Sequence, residues 1–186
     1  MSTTNITSKI RQILNDNSTS GSDVFTYENS PIFTLSEPNI LSVTEVYVNS
    51  TESSVIHSFN ATTNRVTISS ALLAGDSVQI EYTYYPNYSN TELVNYMNAG
   101  LTYFSINNYG DYVYDTSTDD IFPQLEPREE NLLAIITATL IDPDNRTIKL
   151  PDITIQTPNN MSTPERISKY ISNFKRGSTH GVFDIV

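Results

Sequence analysis

The chain has no cysteine and no tryptophan, only six glycines and two histidines, and ten basic residues against 21 acidic ones. Each shortage removes a class of function. Without cysteine there is no disulfide framework, no thiolate metal site and no thiol nucleophile. The glycines never fall in the spacing G-x-G-x-x-G or G-x-x-x-x-G-K, so a backbone cradle for nucleotide phosphates has no signature. His57 and His180 each lack a second histidine at i+4 and read as surface or interface residues, not as metal ligands or catalytic bases. The net charge is −11, and the cations are scattered apart from Lys169, Lys175 and Arg176. Sequence-specific nucleic-acid binding, which needs clustered cations against phosphates, is therefore not expected. An acidic surface suits a passive channel along which DNA slides without adsorbing, because like charges repel. No apolar run approaches the ~20 residues that cross a bilayer. The best candidate, Leu132 to Ile141, is about half that length and is broken by Thr137 and Thr139. The start, Met1-Ser-Thr-Thr-Asn5, lacks the basic residues and apolar run of a secretory signal, so neither membrane nor export is expected.

What the chain does have is Asn, Ser and Thr. The triplets Asn5-Ile-Thr, Asn49-Ser-Thr, Asn60-Ala-Thr and Asn145-Arg-Thr have the form of glycosylation acceptors; without an export signal they read as products of composition. Ile6, Ile10, Ile13 and Leu14 share one face of a short helix from about Thr4 to Asn15, and the polar Asn15 to Asp23 stretch reads as a linker. Strand patterns follow to Tyr85: Val24-Phe-Thr-Tyr-Glu, Ile32-Phe-Thr-Leu, Val43-Thr-Glu-Val-Tyr-Val, Val55-Ile-His-Ser-Phe, Val66-Thr-Ile and Val78-Gln-Ile-Glu-Tyr-Thr-Tyr. The last alternates Val78, Ile80, Tyr82 and Tyr84 against Gln79, Glu81 and Thr83. Helices return with the capping-box pattern Ser89-Asn-Thr-Glu92 and with Leu93, Tyr96, Met97, Leu101 and Phe104 at helical spacing. Pro127, with Glu129 and Glu130 in the first turn, opens a helix that is apolar nearly all round. Thr147 to Ile155 reads as a bent arm or hairpin, and Thr163-Pro164 starts a last helix carrying Ile167, Tyr170, Ile171 and Phe174 on one face.

The pattern predicts an α+β protein: a bundle of three to four helices with an inserted small antiparallel β-module. Residues 1–22 are read as an N-terminal helix and linker, 23–86 as the β-module, and 87–186 as a helical domain with an extended arm and a C-terminal tail. The acidic segment from Asp111 to Asp120 holds four carboxylates, but it lacks the central glycine and terminal glutamate of a calcium loop and reads as a solvated or partner-facing loop. No catalytic residue, cofactor or metal ligand is expected. There are twelve tyrosines and no tryptophan, and eight of the tyrosines cluster in two groups, Tyr82, Tyr84, Tyr85 and Tyr88, and Tyr103, Tyr109, Tyr112 and Tyr114. Tyrosine joins an apolar ring to a polar tip and is enriched at interfaces; the rings serve either there or as cement between sheet and helices.

One stretch carries a resemblance. From about Thr34 to Asn108 the order is Thr44-Glu-Val-Tyr-Val-Asn49, a strand ending at Phe59-Asn60, then Arg65-Val-Thr-Ile, then Ala71-Leu-Leu-Ala-Gly75-Asp76-Ser-Val-Gln-Ile-Glu-Tyr82, and the helix opened by Ser89-Asn-Thr-Glu92. This resembles a β-module of tailed-bacteriophage virion proteins leading into an adaptor-type helix, and the helices resemble those of head–tail connector proteins. The resemblance implies a non-enzymatic structural subunit in the virion neck, made in the host cytoplasm. It would be a homo-oligomeric ring, commonly of about twelve copies, between the portal protein and the tail or a second neck protein. Arms that add strands to neighbours would lock such a ring. The interface candidates are Tyr82, Tyr84, Tyr85, Tyr88, Tyr109, Tyr112 and Tyr114, with Ile148, Leu150, Ile153, Ile155, Phe183 and Ile185 in the arm and tail. The competing expectation is a tail, fibre-attachment or capsid decoration protein whose β-module binds a partner or host surface.

Overall fold

The computed structural model describes residues 3–52, 55–150, 153–158, 160–175 and 183–184. These fall into two compact units: Asp16–Ser89, and the residues up to Asn15 together with those from Asn90 onward. The first helix of the chain thus belongs to the same unit as the last three.

Among the described residues, the regular elements of the Asp16–Ser89 unit are all strands. β1 (Thr19–Thr26), β3 (Ile40–Val48), β4 (Thr51–Glu52) and β7 (Ser77–Tyr84) form one sheet in the order β1-β7-β3-β4. β2 (Ile32–Thr34), β5 (His57–Asn60) and β6 (Arg65–Ile68) form another in the order β2-β6-β5. Alternation decides what each sheet buries. Val78, Ile80 and Tyr82 turn inward from β7 and meet Val46, Phe33, Leu35, Val66 and Ile68 in one core. β1 begins five residues before Val24, inside the stretch expected to be a linker. Thr19-Ser-Gly-Ser has little intrinsic strand preference, but its backbone pairs in unbroken register with β7, and backbone pairing is indifferent to side-chain type. Gly21 lies opposite Tyr82, and a Cβ there would sit 2.6 Å from Tyr82 Cε2. The tyrosine ring therefore covers the place where a side chain would otherwise be. The two ends of this unit are tied together, since Asp16 Oδ1 accepts hydrogen bonds from both the backbone N and the Nδ2 of Asn87, each 3.2 Å.

In the other unit, α1 (Thr4–Leu14), α2 (Asn90–Ile106), α3 (Pro127–Ile141) and α4 (Thr163–Lys175) pack with three small strand pairings. These are the ribbon β8 (Val113–Asp115) with β9 (Asp120–Phe122), the hairpin β10 (Thr147–Leu150) with β11 (Ile153–Gln156), and β12 (Phe183–Asp184) parallel to β11. Helix α3 is buried along most of its length, including Leu132, Leu133, Ile135, Ile136 and Thr137, and α1 and α2 both run against it. Gly100 permits the α2 crossing, because a Cβ there would come 2.9 Å from Leu133 Cδ1 and 3.1 Å from Thr137 Oγ1.

The expected helical bundle with a small β-module is not what forms. Among the described residues there are four helices but twelve strands in four sheets, so the protein is α+β and sheet-rich. The excess lies outside the expected β-module, in the ribbon β8–β9, where three-residue strands are held by pairing alone, and in the three-stranded sheet β10–β11–β12; Thr19 to Asp23 also lengthens β1 without strand periodicity.

Arg166 locks α4 in place. Its side chain is fully buried, and its guanidinium donates to the carbonyls of Pro143 at 2.6 Å and Asn145 at 2.7 Å in the turn after α3. A planar fork reaches two divergent carbonyls; an ammonium on a flexible stem does not. Hydrogen bonds from charged donors contribute about 1.5–3 kcal/mol each. Arg166→Lys should therefore lower stability by about 2 kcal/mol and Arg166→Ala by about 4 kcal/mol, read as loss of the helical circular-dichroism signal in urea. An Arg166→Lys variant melting like the parent would show that the fork is dispensable.

Candidate functional site

The tyrosines separate by burial. Tyr82 is 1% exposed and belongs to the sandwich core, where its hydroxyl donates to Asp23 at 3.2 Å and lies 3.3 Å from Ser36 Oγ. Tyr84, half-buried, packs against it with ring centroids 6.0 Å apart. Tyr85 and Tyr88 are also half-buried, and Tyr85 N donates to Asn39 O at 3.2 Å. In the helical unit Phe104 gathers Tyr109 and Tyr112, at 4.8 and 5.6 Å between centroids. Tyr112 donates to Glu129 Oε1 at 2.7 Å and Tyr114 to Asp119 Oδ1 at 2.9 Å. Burial, reinforced by these carboxylates, pushes the Tyr112 and Tyr114 hydroxyls above the usual phenol range; burial does the same for Tyr82 and Tyr109. A phenol held protonated is a hydrogen-bond donor, and Tyr82, Tyr112 and Tyr114 each donate to an acidic side chain.

The segment from Thr147 to Gln156 pairs with itself within the chain. Ile148, Leu150 and Ile155 are buried, at 2%, 7% and 2% exposure, in the antiparallel pairing Ile148↔Ile155 and Leu150↔Ile153. Of the two readings, bent arm or hairpin, the chain forms the hairpin: a strand alternating apolar and polar residues buries its apolar face in the nearest core. Phe183 pairs with Ile155, while Ile185 lies outside the described residues, as does His180. His57 sits on an exposed strand with Nδ1 3.0 Å from Val55 O.

The acidic segment does not converge. Asp111 accepts from Ser105 Oγ at 2.7 Å, Asp115 from the N and Oγ of Ser117, and Asp119 from Thr3 Oγ1 and Tyr114. Among the described residues there is no group of three or more His, Cys, Asp or Glu side chains that could hold a metal. No helix among them is long and apolar enough to cross a membrane.

The Gly75-Asp76 motif has a structural purpose. Gly75 takes φ +95°, a conformation that costs other residues. Asp76 accepts from Asn49 Nδ2 at 2.8 Å and from Leu73 N at 2.7 Å, and Asn49 Oδ1 accepts from Ser77 N at 3.0 Å. The end of β3 and the start of β7 are thus clamped side chain to backbone.

One concave surface went unseen in the sequence, an open groove between one face of α2 and strand β8. Its walls include Asn98, Leu101, Tyr112, Val113 and Tyr114, and it continues past Asn90 and Val94. Its only available signal, Asn and Thr recurring on one face of α2, is also the signal of an ordinary solvated helix face. No protein-family model matches the chain, and no curated protein matches it.

The clamp at Asp76 predicts a pH dependence. Its hydrogen bonds, first that from Asn49 and then that from Leu73, hold the carboxyl below its ordinary value of 3.8. A depressed carboxyl stabilises the fold above that value and loses its contribution as pH falls through the lower, folded value. Asp76→Ala should lower the melting temperature at neutral pH, with the deficit shrinking below about pH 4. A deficit equally large at pH 2.5 and pH 7 would remove the ionised carboxylate from the account.

Proposed function

We propose that the chain is a structural subunit of a tailed-phage virion neck, one copy of a ring that joins the portal side to the tail and prolongs the DNA channel. One observation supports this reading above the rest. The motif that resembles the virion β-module, Ala71 to Tyr84, supplies the central strand of a sandwich, with its Gly75-Asp76 turn clamped to Asn49 at the end of the Val-Tyr-Val strand. The residues carrying the resemblance are therefore those on which that unit's geometry depends.

Two further features agree with the reading. The excess of acid suits a channel wall that repels phosphate. The sandwich sheet also ends in β1, an eight-residue edge strand of the kind that can be extended by a neighbouring chain. No catalytic step is assigned to the protein.

The full chain, alone and mixed with the portal protein of the same genome, should give rings of about twelve subunits by mass photometry and negative-stain imaging. Trimers, or monomers that ignore the portal, would favour the fibre or decoration reading and sink this one.

A further inference from the structure

The groove beside α2 has a second wall that identifies the class of ligand it fits. Two lobes, of about 500 and 310 Å³, share Asn98, Tyr114 and Thr116 and so form one cleft; volumes of this order hold ligands. On the helix side Asn90, Val94, Asn98, Leu101 and Ser105 line it at roughly one per turn. The cleft thus follows α2 for about 22 Å, the length of about six extended residues.

On the other side Tyr112, Val113 and Tyr114 all line the cleft, and among the described residues none from β9 does. Successive side chains of a strand point to opposite faces. A wall that takes two successive β8 residues, Val113 and Tyr114, with Tyr112 just before them and nothing from β9, therefore means that the cleft meets the ribbon edge-on, at the side of β8 away from β9. β8 pairs with β9 alone, and among the described residues the backbone of residues 112–116 makes no backbone bond outside that ribbon. Such an edge presents donors and acceptors at strand spacing, and the ligand that answers them in kind is another extended chain. Val94 and Val113 give its side chains apolar contact; Val113 is 68% exposed in the open cleft. Among the described wall residues Asp111 is the one that carries a charge, and it stands at the Ser105 end. A carboxylate with no cation among the described lining residues favours a basic side chain there.

We propose that this cleft binds an extended polypeptide segment of another protein, added as a third strand on β8, with a Lys or Arg beside Asp111. The proposal goes beyond the neck reading and stands or falls without it, because binding is measured on the chain whether or not rings form.

The probe is the labelled peptide acetyl-Thr-Val-Thr-Val-Thr-Lys, titrated into the full chain by fluorescence anisotropy. Two companions are a copy N-methylated at alternate amides and a copy ending in Glu. Saturable binding is expected, at least tenfold weaker for both companions and for Asn98→Trp, which fills the cleft from an unburied position. Asp111→Lys should reverse the preference between the Lys- and Glu-ended peptides, a result that misfolding cannot produce. Absence of saturation with the parent peptide, equal binding of the N-methylated copy, or indifference to both substitutions would overturn the proposal. Self-association of the chain that Asn98→Trp abolishes would also overturn it, by placing a second copy in the cleft.

Discussion

A helix without a polar face must be surrounded, and α3 is such a helix. From Leu132 to Thr139 it buries every side chain, so it cannot lie on a surface as an amphipathic helix does. The chain has to bring covering elements from wherever it can. α2 precedes α3 and supplies one side, approaching closely at Gly100; α4 follows and supplies another, fastened by Arg166 and by Arg128, which donates to the carbonyl of Phe174 and stacks over its ring. The remaining cover comes from α1, on the far side of the sandwich in sequence, whose Ile6, Ile10 and Ile13 are buried and whose Lys9 pairs with Glu130 of α3 at 2.8 Å. The discontinuous unit follows from that one demand for burial.

Elements with a strong period could be read from the sequence, and elements held by pairing could not. The isoleucines of α1, the Leu93–Met97–Leu101–Phe104 face of α2 and the alternation of β7 mark their own structures, because side-chain burial is what forms them. Thr19 to Ser22 and Val113 to Asp115 carry no such mark. Their strands exist because a partner backbone lies at the right distance, and that partner is more than 50 residues away for β1 and a tight ribbon for β8. The hairpin at Thr147 to Gln156 could be read as extended, but not whether its isoleucines faced a neighbour or its own core. The groove was least legible, since Asn95 and Asn98 become distinctive only once β8 is known to stand opposite them.

The same distinction bears on the motif that carries the resemblance. Gly75, Asp76 and Asn49 are spaced far apart in sequence on one side and adjacent on the other, and each is explained by turn geometry and hydrogen bonding. Such a motif reports a way of building a sandwich. It says less about what the sandwich touches, which depends on exposed faces and edges where composition is free to vary.

The bond between Asp16 and Asn87 has a consequence for how such a chain can change. Because the strand that leaves the helical unit and the strand that returns to it are clasped by one side chain, the sandwich spans almost no distance as seen from α1 and α2. Seventy-odd residues then act, for the helical unit, as a short connection, and enlarging them adds only the slow logarithmic increment of loop closure. A module held by its ends in this way can be lengthened, trimmed or exchanged for another without asking the helices to move.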